Sequence, residues 1–465
     1  MLFNIDKKPS EHFAAIDDNG GQLTYGELVW LRGELASVLP ERELVFCLCE
    51  NRVGALAGFL SLYDCKDVCL LLSAHIDKAL LQVLDETYGP SYYWMPEAMA
   101  VESGYDRVYG YKSYILCKTG KISPFLHPDL SMLMTTSGTT GSPKLVRHKY
   151  GNIESNARNV AKVFGWTSEE RGIIDLPMQY TMGLNVINSH LYAGATVLLV
   201  EANLMSPKYW SFVKEQKGSN FTGVPFSYEI LNRLRFWKMD LPYLTTMAEG
   251  GGKLSDNLFK AFADYAVEKG KRFFATFGTT ETSARLAYLP PEKAVTHIGS
   301  IGHAIPEGRL ILVDENGHEI AEADVEGELR YEGPNVTMGY GTCVDDLAKG
   351  DEFCGVYETG DLAKKDADGF FYIVGRKKRF LKLFGLRVSL DQSEKIISEH
   401  FNIECACTGD DNQMMIYITQ EGLKEEVRKL ISDKTGLMAK SFEVREIESI
   451  PRFESGKINY KALGN

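Results

Sequence analysis

Between residues 220 and 278 the chain passes from an apolar run, NFTGVPF (220–226), through the stretch KLSDNLFKAFADYAVEKG to a second apolar run, RFFATFG (272–278). Short runs rich in β-branched and aromatic residues read as buried strands. The stretch between them reads as a helix. Ser255 suits its N-cap, Leu258, Phe259, Phe262, Tyr265 and Ala266 form one apolar stripe, and Gly270 marks its stop. LVFCLCE (44–50) and ATVLLVE (195–201) repeat the strand texture. Alternation of this kind predicts an α/β fold with stacked, mainly parallel sheets and helices.

The texture changes near Leu310. RLILVDENGHEI and GELRYEGPNV read as antiparallel strands joined by a turn at Asn316-Gly317, giving a β-rich subdomain. DADGFFYIVGR (366–376) supplies a further turn and leads into the basic segment GRKKRFLKLFG. Beyond it, Ser389 and Gln392 form a capping box for a helix through SEKIISEHF. The strands IECACTG and MMIYITQ follow, then the helix LKEEVRKLISDKTG and the strand SFEVREI. A chain of 465 residues exceeds what one core usually supports. We therefore expect a large N-terminal domain, 1–376, and a small, mobile C-terminal α+β domain, 377–465.

Composition narrows the partners. The net charge is −12, from 51 basic and 63 acidic residues, and no long basic block is present. That excludes a nucleic acid held by its phosphates, which needs concentrated Lys and Arg. Nine cysteines, unpatterned over this length, fit a reducing compartment. Cys47 with Cys49, and Cys405 with Cys407, fall in strand-like runs where both sulfurs pack on one face; no CxxC or Cys/His cluster accompanies them. MLFNIDKKPSEHF lacks an apolar signal core, and GALAGFLSLYDCKDVCLLLSA is broken by Asp64, Lys66 and Asp67. A cytoplasmic protein with no membrane span is expected.

Three motifs carry chemistry. TTSGTTGSPK (135–144) offers hydroxyls and glycines for an anion, and Lys144 for charge. It is not the GxxxxGK[ST] loop, because Lys144 follows Pro143 and precedes a strand-like run. It therefore reads as a link between two strands that wraps phosphate. FGTTET (277–282) follows a predicted strand, at the edge where open α/β sheets bind ligands. Glu281 there offers the hard oxygens that Mg²⁺ prefers, and Thr280 a hydroxyl for a phosphoryl oxygen. YETGDL (357–362) places Asp361 in a turn, where it suits a ribose diol or simply caps the turn.

Together these motifs resemble the adenylate-forming superfamily of acyl-CoA synthetases, luciferases and peptide-synthetase adenylation domains. LTYGEL (23–28), EGGGKL (249–254), GELRYEGPNVTMGY, GRKKRFLKLFGLRVSLDQSE and PRFESGK (451–457) match further family motifs in order, from about residue 20 to 463. The resemblance implies an enzyme, an AMP-forming carboxylate ligase. It would activate a carboxylic acid with ATP and Mg²⁺ to an acyl-adenylate, release pyrophosphate, and transfer the acyl group to a thiol, coenzyme A first among candidates. An acyl carrier protein or an amine are the alternative acceptors. A γ-phosphoryl-transferring kinase or ATPase and a catalytically silent nucleotide-binding homologue are the rival readings.

The same resemblance implies site residues. Thr136, Ser137, Gly138, Thr139, Thr140, Gly141 and Lys144 would cradle the β- and γ-phosphates. Glu281 would hold Mg²⁺, and Thr280 would sit near the α-phosphate with Phe277, Gly278 and Thr279 around the nucleotide. Gly251 and Gly252 would border adenine, and Asp361 with Arg376 would clamp ribose. Lys457 would bridge the acyl and phosphoryl oxygens during adenylation. Lys378 would be the hinge, and Lys382 would enter the site for the second half-reaction.

The acyl pocket of the family is lined by segments matching 178–188, 222–228 and 248–252. Tyr180, Thr181, Gly183, Phe226 and Gly250 are the expected lining, with Met178, Met182, Leu184 and Val186 adding apolar surface. Thr181 stands where amino-acid-activating relatives carry an aspartate for the substrate ammonium. A buried ammonium without its carboxylate is unfavourable, so an α-amino acid is not the expected substrate.

Overall fold

The computed structural model describes residues 1–39, 41–135, 144–377, 379–383, 386–410, 412–453 and 456–463, the side chains of Lys382 and Arg387 excepted. The chain divides into two compact units, Met1–Arg309 with Tyr331–Tyr357, and Leu310–Arg330 with Glu358–Asn465.

The first unit holds two sheets. A nine-stranded sheet has the six strands Arg272–Thr279, Thr246–Glu249, Asn220–Gly223, Arg171–Ile174, Thr196–Leu199 and Phe13–Asp17 as parallel neighbours in that order. Antiparallel strands close its edges, Ala284–Leu289 and His303–Ala304 on one side and Gln22–Thr24 on the other. An eight-stranded sheet has the parallel centre Leu130–Thr135, Val68–Ser73, Leu44–Cys49 and Tyr92–Pro96. The helix Asp256–Glu268 forms as expected, with Ser255 Oγ accepting from the Leu258 N–H and Phe259, Phe262 and Ala266 buried. One core of buried residues, including Cys47, Leu56, Phe59, Trp94, Ile174, Leu184 and Val197, draws on both sheets and on the helices Val53–Asp64 and Thr181–Ala193. Burial of large aliphatic and aromatic side chains at about 1.5–3 kcal/mol each makes this the main stabilising term.

The link between Leu130–Thr135 and Leu145–Lys149 joins two antiparallel strands, with Thr135 opposite Leu145. The strand-to-strand setting of TTSGTTGSPK is thus found. Its residues Thr136, Ser137, Gly138, Thr139, Thr140 and Gly141 lie outside the described residues, as does Lys378.

The second unit carries most of a four-stranded sheet, Arg309–Val313, Gly327–Glu332, Val356–Lys365 and Phe371–Arg376. Contrary to expectation, the Asn316-Gly317 turn does not join the first two strands directly. It folds Val313 back onto Glu319, with Asp314 Oδ1 accepting from the N–H groups of Asn316 and His318. A self-satisfied Asx turn needs no long partner strand, so the hairpin stops after one bridge. The tail builds a three-stranded sheet of Cys405–Gly409, Met414–Ile418 and Phe442–Glu446 with the helices Leu390–Phe401 and Lys424–Thr435. Ser389 Oγ caps the first helix through the Gln392 N–H at 3.2 Å. All nine cysteines are free, and Cys405 and Cys407 share one core, as do Cys47 and Cys49. Among the described residues no helix is long and apolar enough to cross a membrane.

Candidate active site

The strand Arg272–Thr279 delivers FGTTET to the C-terminal edge of the nine-stranded sheet, followed by a one-turn 3₁₀ helix, Thr280–Thr282. Gly278 is required there, because a Cβ would meet the Ala284 carbonyl oxygen at 1.7 Å. The chain then turns through Ser283 and Ala284 with φ of 55° and 92°. Backbone held in this sparse region persists only where its surroundings fix it. Here Ser283 Oγ donates to the Asn335 carbonyl at 3.0 Å and lies 3.2 Å from His148 Nδ1. Asn335 Nδ2 donates to the Thr282 carbonyl at 2.7 Å, and Tyr331 donates its hydroxyl to Asn335 Oδ1 at 2.7 Å. Asn335 therefore ties the GPNVTMGY segment to the turn that presents Thr280 and Glu281.

Glu281 Oε1 accepts the Tyr340 hydroxyl at 2.7 Å, and Lys144 Nζ lies 3.4 Å from the Tyr340 ring centroid. Burial and the facing Glu281 carboxylate raise the Tyr340 phenol above its ordinary value, so it remains a donor. The ammonium–ring contact is a cation–π interaction, which holds Lys144 beside Tyr340 at the start of the strand Leu145–Lys149. Glu281 takes no other side-chain hydrogen bond among the described residues. Among them, too, no group of three or more His, Cys, Asp or Glu forms a metal cage. A carboxylate with one oxygen engaged suits Mg²⁺, which typically binds through one or two carboxylates plus phosphates and water. Thr181 Oγ1 donates to Thr280 Oγ1 at 2.9 Å, joining the start of the helix Thr181–Ala193 to the same edge.

The expected acyl lining also converges. Tyr180 and Phe226 pack on a buried cluster of Leu176, Met182 and Val224. Burial pushes the Tyr180 phenol up to about 12. A Cβ on Gly250 would meet Thr276 Oγ1 at 2.5 Å and Met182 Cε at 3.0 Å. One on Gly251, at φ +80°, would meet the Tyr180 hydroxyl at 2.7 Å, whereas on Gly252 the nearest atom is Pro225 Cγ at 3.2 Å. Gly183 lets the helix start against the Pro177 carbonyl, 2.3 Å from where its Cβ would stand. Strand alternation sorts the neighbours. Ala248 and Gly250 face the helices Asn152–Phe164 and Thr181–Ala193, where Ala248 packs with Phe164 and Phe274. Glu249 faces the other way, close enough to Tyr228 that its charge raises that phenol's pKa. The Glu249 carboxyl is buried with Oε2 unpartnered among the described residues, and burial pushes it up to about 8.

In the second unit, Asp361 stands opposite Arg376 in adjacent antiparallel strands, and Arg376 Nε donates to Asp361 Oδ1 at 3.2 Å. Asp361 is buried, and desolvation raises its pKa against the pull of Arg376. Lys382 lies in the strand Phe380–Leu383, its backbone opposite Arg387. Lys457 follows Gly456 (φ +79°), and its carbonyl accepts the Phe453 N–H at 2.8 Å. Arg452 and Ile458 form an isolated antiparallel bridge.

Tyr340, Asn335 and Arg285 are not singled out by the motifs. The first two lie inside GPNVTMGY, which marks their segment but not their contacts. Arg285 follows Glu281 by four residues in a strand that reads as ordinary core.

A family model described as AMP-binding enzyme matches residues 3–341. An oxalate–CoA ligase of Arabidopsis thaliana is 27% identical over 354 residues, covering 72% of this chain and 68% of that protein. A 2-succinylbenzoate–CoA ligase of Bacillus cytotoxicus is 27% identical over 341 residues, covering 71% and 69%. The solved o-succinylbenzoate coenzyme A synthetase of Bacillus subtilis, in complex with AMP, aligns with a TM-score of 0.78 at 20% identity over 99% of this chain and 96% of that one. Its complex with ATP and magnesium aligns at 0.76 over 98% and 97%, also at 20% identity.

Proposed function

Because the chain belongs to the AMP-binding enzyme family, we propose that it activates a carboxylic acid with ATP and passes the acyl group to coenzyme A. A carboxylate oxygen attacks the α-phosphorus, the bond to the β-phosphate oxygen breaks, and pyrophosphate leaves with its electrons. The thiolate sulfur then attacks the acyl carbon, and AMP departs as the carbon–oxygen bond breaks. Two anions meet in the first step, so cations and donors aimed at the developing charge supply most of the acceleration.

The observation that carries this reading is the convergence of Thr280, Glu281, Lys144 and Thr181 at one sheet edge beside an apolar cluster. Lys144 and the loop before it receive the β- and γ-phosphates. Glu281, set by Tyr340, would hold Mg²⁺, which supplies charge neutralisation for the phosphates. Thr280, oriented by Thr181, donates near the α-phosphate. Asp361 and Arg376 bind the ribose diol. Lys457 serves the adenylation step and Lys382 the thiol step, with a functional boundary near residue 376 and Lys378 as hinge. The missing ammonium partner at Thr181 supports an acid other than an α-amino acid. Nine free cysteines support a reducing, cytoplasmic location.

A screen for pyrophosphate release and hydroxylamine-trapped adenylate across aryl, fatty and short acids tests the first step. Adding coenzyme A afterwards should consume the adenylate. Formation of ADP with no pyrophosphate would overturn the assignment.

A further inference from the structure

Arg285 is buried, at 2% exposure. It starts opposite Gly278 in the strand Ala284–Leu289 and reaches across the sheet. Its Nη1 donates to Asn185 Oδ1 at 2.9 Å and its Nη2 to Thr222 Oγ1 at 3.1 Å. The guanidinium carbon lies 4.8 Å from the Phe164 ring centroid. Nε has no partner among the described residues, and no carboxylate there pairs with this cation. Burial lowers its pKa to about 10, which still leaves it charged at neutral pH.

The two nearby buried acids do not supply the missing charge. Glu249 projects from the opposite face of its strand, and burial holds its carboxyl protonated up to about pH 8. Asp175 is hydrogen-bonded by Tyr209 and pushed up to about 7. Burying a cation with only neutral acceptors is unfavourable unless an anion arrives to complete it.

The position of the guanidinium says which anion. Thr222, Ala248 and Phe274 stand side by side in three adjacent strands, and Arg285 crosses that row to reach Thr222. Ala248 is the smallest side chain of the row and packs with Phe164 and Phe274. Gly250 and Thr276 come two residues later on the same face, under Met182. Asn185 lies one helical turn beyond Thr181, which holds Thr280. Arg285 thus lies on the sheet face that carries Gly250 and Thr276, next to the expected acyl lining. Its planar fork suits a carboxylate better than a point charge would.

We propose that the activated acid is a dicarboxylate whose second carboxylate is received by Arg285, with Asn185 and Thr222 holding the guanidinium in place. This rests on the reading of the chain as an acid-activating enzyme. Asn185 and Thr222 are positioning residues: they orient Arg285 and fix the depth at which the second carboxylate stops.

The test compares succinate, glutarate, adipate, phthalate and 2-succinylbenzoate, each against its monomethyl ester, in the pyrophosphate-release assay. The ester keeps the reacting carboxylate and nearly the shape, but loses the second charge. A site with buried polar groups built for one partner rejects the analogue lacking it strongly, so the best diacid should exceed its ester by at least about a hundred-fold in kcat/KM. Arg285→Met should collapse that ratio to within about ten-fold. Esters or simple monoacids working as well as the diacids would overturn the proposal while leaving adenylation intact. No pyrophosphate with any acid would instead overturn the underlying function. An Arg285→Met protein that is folded yet keeps the wild-type ratio would also overturn it. If that variant fails to fold, the wild-type ratio and the diacid-specific rise in melting temperature decide the matter alone.

Discussion

Tyr340 donates its hydroxyl to Glu281 Oε1 at 2.7 Å, although 59 residues separate them. The bond fixes which carboxylate oxygen is left for a cation. Groups that orient a metal ligand typically change metal affinity by about 10–100-fold when removed. Tyr340→Phe should therefore raise the Mg²⁺ concentration needed for half-maximal pyrophosphate release by roughly ten-fold, with the melting temperature little changed. An unchanged Mg²⁺ titration would remove Glu281 from the metal-holding role.

The triple glycine gives a position-specific expectation. At Gly251, φ is +80° and a Cβ would stand 2.7 Å from the Tyr180 hydroxyl, so both backbone and side chain resist substitution. Gly251→Ala should cost about 1–2 kcal/mol of stability and raise KM for the acid. Gly252→Ala meets only Pro225, at 3.2 Å, and should be nearly neutral. Equal effects of the two, by thermal melting and acid titration, would show that Tyr180 does not border the pocket.

Two lysines should separate the half-reactions. Lys457→Ala is expected to abolish ATP–pyrophosphate exchange while sparing acyl transfer from pre-made adenylate. Lys382→Ala should do the reverse. If either variant loses both steps in equal proportion, one lysine per step is wrong.

Glu249 sets a pH dependence of stability. Its folded pKa is raised from 4.5 to about 8 by burial. Between those values the folded chain holds a proton that the unfolded chain has released, so stability falls as pH rises through that window. Glu249→Gln keeps the shape without the ionisation, and should recover stability on the order of a few kcal/mol by about pH 8. Melting scans at about pH 5 and pH 8.5 should show the variant gaining on wild type only at the higher value. Asp175, pushed up to about 7, adds a slope of the same sign that ends near pH 7 and that the variant retains. Parallel curves would mean that water reaches the Glu249 carboxyl.

Much of the edge that carries the chemistry is legible in the amino-acid sequence, because its cues are local. FGTTET closes a short continuous apolar run, RFFATFG, which reads as a buried strand. The helix Asp256–Glu268 announces itself through its Ser255 cap. The Asn316-Gly317 turn is legible as a turn but not by what it joins, since Asp314 satisfies the neighbouring N–H groups itself and ends the pairing early. Asn335 cannot be read as a strut for Ser283 and Thr282, because nothing in GPNVTMGY says which loop it meets.

The sequence alone determined the alternation of strands and helices, the setting of TTSGTTGSPK between two strands, and the order of motifs that marks the family. Each depends on neighbours within a few residues, where periodicity and turn chemistry act directly. Only the tertiary structure decided that Arg285 meets Asn185 and Thr222, 100 and 63 residues away in sequence. The physical reason is register. A strand shows one face or the other to a given helix, and a shift of one residue would exchange Glu249 for Gly250 beside Met182. Whether Glu249 faces the helix Thr181–Ala193 or lies on the other side of the sheet follows from that single choice.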